Sequence, residues 1–376
     1  MKKTILIKDK ILSQDDRKIL AERIPYLDEN ICSLSVKKNM VQVSINYKNK
    51  ISFLNIKKKI LEIINSFSDH KKLIKNEVLY QSENYKIKKN TNVFKQLIKS
   101  KNLYKLTEGV YSFHNNFLKL SREFDKIFLR YAKKSGYKEA DYSGVLNINS
   151  LIENSYIHSF PNHCLFVSNI KRNNKILKKI SRIKINQDQK IKQYLANPQT
   201  MLSPTVCYNC FETLKNKIIK NNLKITSISK CYRYESLNYF QLERLKVYSM
   251  RELMFYGNKK FIENQIKNCL NFFIKFLNKN KIMFRILTAS DPFFLQSHDN
   301  KKIFQLANKL KYELEVYLPF EKRWIAVGSF NNHLDTLTKK YNIKNNRKNC
   351  NSGCIGIGYE RFLYAFFSQK KKYKFK

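Results

Sequence analysis

Apolar residues recur along this chain with two different periods, and the switches between them mark its elements. Residues 4–10 (Thr-Ile-Leu-Ile-Lys-Asp-Lys) form a short apolar run that predicts a strand. From Gln14 to Ile24 the spacing turns helical, with Ile19, Leu20 and Ile24 on one side and Pro25 as the stop. Ile31–Lys37 and Met40–Tyr47 read as two strands joined by a Lys-Asn turn, with Val41, Val43 and Ile45 alternating with polar positions. Phe53 to Phe67 is an amphipathic helix with Ile56, Ile60, Ile63 and Ile64 on one stripe. The order β-α-β-β-α over residues 1–75 predicts a small split βαβ module. Its first loop carries no Cys-x-x-Cys, so it does not read as a metal carrier.

Residues 76–103 are polar and Lys-rich, and predict a linker with some helix. From Tyr104 the texture changes. Phe117 to Tyr131 has a strong helical period, with Phe117, Leu120, Phe124, Ile127 and Phe128 apolar. Five later apolar stretches, Ile225–Cys231, Leu245–Tyr248, Glu313–Tyr317, Ile325–Ser329 and Ile355–Gly358, predict a mixed or antiparallel sheet. No internal repeat is visible. Residues 104–376 therefore read as one larger domain, which bears the chemistry.

Composition adds charge to this picture. The chain has 376 residues, 43% hydrophobic and 13% aromatic, ample for a core. It carries 73 Lys+Arg against 29 Asp+Glu, a net charge of +44. Such an excess points to an acidic partner, nucleic acid or protein. AT-rich codons give the same bias, because Lys, Asn, Ile, Phe and Tyr are all abundant. Either origin leaves a basic surface that attracts polyanions. No apolar run of about 18 residues predicts a membrane span, and the start, Met-Lys-Lys-Thr-Ile-Leu-Ile-Lys, lacks the apolar stretch of a signal peptide. The eight scattered cysteines suit a reducing cytoplasm, the expected location.

Four of these cysteines are spaced as Cys207-x-x-Cys210 and Cys350-x-x-x-Cys354. They suit a structural four-cysteine zinc site, or four unrelated buried thiols. Elsewhere Cys231-Tyr-Arg-Tyr-Glu235 is followed by Arg244-Leu-Lys-Val-Tyr248, and much later by Cys354-Ile-Gly-Ile-Gly-Tyr-Glu-Arg361. A single Arg-x-Glu is usually a surface ion pair. The ordered set resembles motifs 2 and 3 of the class II aminoacyl-tRNA synthetase superfamily, which build an ATP site without a Walker loop. The resemblance implies that Arg233 holds the α-phosphate and substrate carboxylate in its planar fork. It further implies that Glu235 accepts from the adenine amino group, Arg244 meets the terminal phosphates, and Tyr248 stacks on adenine. Arg361 would stack on the other adenine face and reach the γ-phosphate.

More narrowly, residues 109–367 resemble the amino acid:[carrier protein] ligases, truncated relatives of atypical archaeal seryl-tRNA synthetases. The likeness rests on Gly-Val-Tyr at 109–111, Ser-Phe-Pro at 159–161, Leu-Ser-Pro-Thr-Val-Cys at 202–207 and Met-Arg-Glu at 250–252. Asp-Pro-Phe-Phe at 291–294, Lys-Tyr-Glu-Leu at 311–314 and Ser-Phe-Asn-Asn-His at 329–333 extend it to the Cys354 strand. It implies a catalytic Zn2+ held by Cys207, Glu252 and Cys354, with an open position for the substrate amine, and leaves Cys210 and Cys350 as bystanders. Ser329, Asn331 and His333 would line the amino-acid pocket. Asp291-Pro-Phe-Phe reads as core packing. Two positions depart from the synthetase pattern. Asp141-Tyr-Ser-Gly-Val stands where motif 1 would carry a proline, which weakens the implied homodimer. Ala326 replaces the usual magnesium-binding glutamate, as in the ligases, leaving Glu313 or Glu315 to assist Mg2+ with ATP.

The expected fold is thus α+β, a class II synthetase-like antiparallel sheet flanked by helices plus the N-terminal module. The expected reaction is ATP-dependent activation of a small amino acid and its transfer to the phosphopantetheine thiol of an acidic carrier protein. The alternatives are an atypical seryl-type synthetase charging tRNA, with the module as tRNA binder, and an inactive RNA-binding or regulatory paralogue. The long N-terminal coiled coil of standard bacterial seryl-tRNA synthetases is absent.

Overall fold

Ser13 starts the first helix with a capping box. Its hydroxyl accepts from the Asp16 N–H at 3.1 Å, and the Asp16 carboxylate accepts from the Ser13 N–H at 2.9 Å. In this computed structural model, which describes residues 2–8, 11–46, 51–70, 76–85, 87, 91–184, 188–291 and 299–370, that helix, α1 (Gln14–Arg23), follows strand β1 (Lys2–Lys8). β2 (Ile31–Lys37), β3 (Met40–Asn46) and α2 (Ile51–His70) complete the module. β3 lies between β1 and β2 and is antiparallel to both, the split βαβ arrangement. Val41, Val43 and Ile45 bury against Ile56, Ile60 and Ile64 in a core of their own. The expected strand residues Asp9, Lys10 and Tyr47 and the module's last residues, 71–75, lie outside the described residues.

Residues 76–103 depart from the expected linker. β4 (Val78–Gln81) pairs antiparallel with a strand of the large sheet, and Val93 and Leu97 are buried in the main core. The Tyr80 ring stacks on Phe284 with centroids 5.4 Å apart, and Ser82 Oγ accepts from the Phe284 N–H. A few apolar contacts thus anchor a stretch whose many lysines read as linker.

The remaining elements that frame the site are α3 (Asn115–Lys134), β5 (Lys138–Glu139), α4 (Cys207–Leu214), β6 (Leu223–Tyr232) and β7 (Val247–Gly257). They continue with α5 (Lys259–Lys279), β8 (Phe284–Thr288), β9 (Lys311–Leu318), β10 (Arg323–Leu334), β11 (Asn351–Gly358) and α6 (Tyr359–Gln369). The sheet order is β4-β8-β9-β10-β11-β7-β6-β5, antiparallel except where β5 meets β6. β7 outruns the expected Leu245–Tyr248: it carries Arg251 and Glu252, two charged residues buried inside a strand.

Side chains alternate across this sheet. Leu253, Phe255, Leu314, Val316, Phe330, Ile355 and Ile357 face one way and pack with Phe124, Phe128, Phe273 and Phe362 of α3, α5 and α6. Phe124 and Phe362 stack at 4.1 Å between centroids. The other face is mixed: Met254, Tyr256 and Cys354 pack with Cys210 and Phe211 of α4 in a second buried cluster, and polar residues stand beside them. Pro292, Phe293 and Phe294 lie outside the described residues.

Candidate active site

The registers of five neighbouring strands build two rows of residues across this second face. One row runs Lys311, Asn331, Cys354, Met254; the next runs Glu313, Ser329, Gly356, Glu252, Ser227. Cys207 reaches the same place from the first turn of α4. As a result, ligand atoms of Cys207, Glu252 and Cys354 lie within 4.8 Å of one another, all three residues buried.

The donors in this cradle are incompletely satisfied. Glu252 Oε1 accepts from the Val206 N–H at 3.2 Å, while its Oε2 is buried without a partner. Burial, then the Cys354 charge, push the Glu252 carboxyl up to about 8; the Val206 N–H offsets this only in part. The Cys207 thiol is pushed up by its hydrogen bond to Cys354 and by burial. Cys354 is held below the ordinary thiol range because it receives that bond, with His333 and Asn331 also beside it. His333 Nε2 is 3.6 Å and Asn331 Nδ2 3.5 Å from Cys354 Sγ. Two thiols and a carboxylate with an orphaned oxygen fit a zinc ion, whose binding displaces the protons that make this cluster costly.

Among the described residues Cys210 and Cys350 stand outside the cluster. Cys210 is fully buried beside Tyr142 and Tyr256, and Cys350 Sγ donates to the Asn351 carbonyl at 3.4 Å. The four-cysteine alternative is therefore not assembled. Glu313 sits in the cradle's row, with Lys311 Nζ at 3.5 Å; Lys311 is also paired with Asp291 at 2.8 Å. Glu315 is committed to Arg285, at 2.7 Å from Nε.

Beside the cradle, the end of β6 and the start of β7 carry the arginine set. Arg233 Nε donates to the Pro204 carbonyl at 3.3 Å, and its guanidinium lies 5.6 Å from the Tyr248 ring centroid. The Tyr248 hydroxyl donates to the same carbonyl at 3.4 Å. Arg233 is near enough to Glu252 for its charge to favour the carboxylate there. Arg244 donates to Glu235 at 3.1 Å and to Glu22 at 2.7 Å. Arg361, at the start of α6, donates to the Ala326 carbonyl at 2.9 Å and to the Glu243 carbonyl. Burial and the adjacent Arg244 charge hold the Arg361 guanidinium below its ordinary range.

Three contributors had no role in the sequence reading. Glu360 accepts from the Ser249 N–H at 2.8 Å and from its hydroxyl at 2.9 Å, tying α6 to β7. The Glu-Arg pair of the motif was the available signal. Lys311 is buried at the cradle's row, and only its place in Lys-Tyr-Glu-Leu pointed to it. Glu22 approaches from the N-terminal module, and nothing local in its sequence marks it.

Comparison with known proteins bears on the fold that holds these residues. A family model described as tRNA synthetase class II core domain (G, H, P, S and T) matches residues 191–370. The type-2 serine--tRNA ligase of Methanopyrus kandleri is 23% identical over 265 residues, 65% of this chain and 50% of that protein. The chain thus spans about half the length of this relative. Amino acid--[acyl-carrier-protein] ligase 1 of Bradyrhizobium diazoefficiens is 25% identical over 239 residues, 62% of this chain and 72% of that protein. Among solved structures, M. kandleri SerRS in complex with A. aeolicus tRNASec has a TM-score of 0.71 at 17% identity. That match covers 98% of this chain and 74% of the other. The cytoplasmic serine-tRNA ligase from Naegleria fowleri has a TM-score of 0.61 at 11% identity, over 85% of this chain and 69% of the other. The fold is the class II synthetase-like one that the motifs implied.

Proposed function

We propose, for a chain that carries a class II aminoacyl-tRNA synthetase core domain and is homologous to type-2 serine--tRNA ligases and amino acid--[acyl-carrier-protein] ligases, that it is an ATP-dependent ligase activating a small amino acid. A carboxylate oxygen of the amino acid attacks the α-phosphorus of ATP. A new P–O bond forms, the bond to the bridging oxygen breaks, and pyrophosphate leaves an aminoacyl-adenylate behind. The observation that carries this reading is the adjacency of Arg233 to the Cys207, Glu252 and Cys354 cradle. Zinc, when bound there, supplies an open Lewis-acidic position for the substrate amine. An amino acid held by its amine would turn its carboxylate toward the Arg233 fork, which also suits the α-phosphate. Ser329, Asn331 and His333, beside Gly356 and Cys354 on the neighbouring strand, would line the amino-acid pocket. Arg244 and Arg361 take the terminal phosphates, Glu235 and Tyr248 the adenine, and Glu313, in the row that carries Glu252, assists with Mg2+.

Transfer to the phosphopantetheine thiol of a carrier protein is supported by the ligase relatives, matched over 72% and 67% of their lengths against 50% and 51% for the two serine--tRNA ligases. Ala326, in place of a magnesium-binding glutamate, points the same way. Carrier proteins are usually acidic, and a net charge of +44 favours such an encounter. A second reading, transfer to tRNA, is favoured by a different observation. The fold match to a serine--tRNA ligase extends over 98% of the chain, the N-terminal module included, while the sequence matches to either kind of relative cover 59% to 67% of it.

The acceptor is tested directly. With zinc, ATP and each of the twenty amino acids, the full chain should catalyse pyrophosphate exchange for a small amino acid. Exchange with none of them overturns the activation reading. The carrier reading expects label on a holo carrier protein and none on its apo form; charging of total tRNA at its terminal adenosine instead selects the second reading.

A further inference from the structure

Arg244 is bound by two carboxylates from opposite ends of the molecule's architecture. Its Nη1 donates to Glu235 on its own loop, at 3.1 Å. Its Nη2 donates to Glu22 Oε1, at 2.7 Å, and Glu22 belongs to α1 of the N-terminal module, 222 residues away. The contact is partly shielded, with side-chain exposures of 28% for Arg244 and 25% for Glu22. A second tie lies close by: the Tyr26 hydroxyl donates to the Asn162 carbonyl at 3.0 Å, and Glu235 and Tyr234 lie within electrostatic reach of Tyr26. The module therefore docks on the loop that carries the candidate ATP residues. Its remaining core is separate, so these polar ties sit at the seam.

A carboxylate and a phosphate present the same chemistry to a guanidinium, two anionic oxygens for one planar fork. Both outer nitrogens of Arg244 are engaged. Two of its five N–H donors are taken, one on each outer nitrogen, so a terminal phosphate gripped by both nitrogens would compete with Glu22 for Nη2, and a Glu22 that stayed nearby would repel that phosphate. We propose that Glu22 is an internal occupant of the polyphosphate site, so that docking of the N-terminal module at this contact and binding of the ATP terminal phosphates exclude one another. This rests on the reading of Arg244 as a phosphate-binding residue. The coupling is reciprocal by necessity: ATP loosens the module's hold, and anything that loosens the hold tightens ATP.

The test uses the full chain and compares the affinities of a non-hydrolysable ATP analogue and of AMP, which has no terminal phosphates. Glu22→Gln should bind the ATP analogue about three- to tenfold more tightly than the natural protein, the scale of one partly exposed ion pair, and AMP equally well. Glu22→Ala should repeat the result, and Glu29→Gln, an exposed carboxylate on the same module, should change neither affinity. In hydrogen exchange, residues 14–26 should exchange faster with the ATP analogue than with AMP. Unchanged or weaker binding of the analogue by Glu22→Gln overturns the proposal while leaving the ATP site standing. Equal tightening for AMP also overturns it, since the effect would not lie at the terminal phosphates. Failure of the natural protein to bind the analogue at all overturns the functional reading beneath it.

Discussion

Gly356 lies directly opposite Glu252 in the pairing of β11 with β7, and the Glu252 side chain lies over the space a larger residue would fill. A Cβ at 356 would stand 3.5 Å from Glu252 Cγ, 3.7 Å from its Cδ and 3.0 Å from Met250 Sδ. A Cβ alone would touch Glu252 at ordinary contact distance and press only on Met250; the further methyls of a branched residue would enter the space that Glu252 fills. Gly356→Val should therefore displace Glu252, lowering zinc affinity about tenfold or more and stability by roughly 1–3 kcal/mol. A chelator-competition titration and urea unfolding measure both. Zinc affinity unchanged in a folded Gly356→Val protein would refute this account of the cradle.

The cradle also predicts its own stoichiometry. Purified protein should carry about one zinc per chain, read by atomic absorption. Cys354→Ala should lose it, because one of three donors goes. Cys210→Ala should keep it, because that thiol is buried elsewhere, beside Tyr142 and Tyr256. Zinc lost from both variants would restore the four-cysteine site, and zinc retained in Cys354→Ala would remove Cys354 from the ligand set.

Much of this arrangement was legible in the chain, and the limits have physical causes. Alternation at Val41, Val43 and Ile45 revealed β3 because one face is buried and the other polar. The arginine motifs were readable because Arg233, Glu235, Arg244 and Tyr248 are close in sequence. The cradle was readable only through family resemblance. Strand register brings Cys354 beside Glu252, and no local pattern encodes register between strands about 100 residues apart. β7 was cut short because buried Arg251 and Glu252 interrupt its apolar run. The Glu22–Arg244 pair left no sequence signal, since Glu22 alone reads as a surface charge and nothing local links it to a loop 222 residues away.

Arg251 carries a stability prediction. Its side chain is 1% exposed; Nε donates to Asp125 at 2.6 Å and Nη2 to the other carboxylate oxygen at 3.1 Å. The Tyr359 hydroxyl donates to Asp125 as well, at 2.5 Å. Asp125→Ala would leave a buried guanidinium with Thr226 at 3.3 Å, Glu139 at 3.5 Å and the Tyr359 hydroxyl beside it. The expected loss is about 3 kcal/mol, at the low end for a broken buried pair because Asp125 is itself a quarter exposed. A urea midpoint lowered at constant slope would confirm it; a change below about 1 kcal/mol would show that the remaining partners suffice.

The most direct probe of the chemistry is Arg233. In pyrophosphate exchange, negative charge builds on the oxygens of the α-phosphorus as the carboxylate attacks, and a fixed guanidinium stabilises it without reorganising. Arg233→Ala should reduce exchange by about a hundredfold or more, roughly 2.7 kcal/mol of barrier. The fold should survive, since the Tyr248 hydroxyl still donates to the Pro204 carbonyl that Arg233 shares with it. Zinc content should be unchanged, which separates this variant from damage to the neighbouring cradle. Arg233→Lys keeps the charge but loses the planar fork, so it should recover only part of the rate. Three readings, the exchange rate, far-ultraviolet circular dichroism and bound zinc, decide the matter together. An Arg233→Ala protein that is folded, zinc-loaded and within about threefold of the natural rate would remove Arg233 from the reaction.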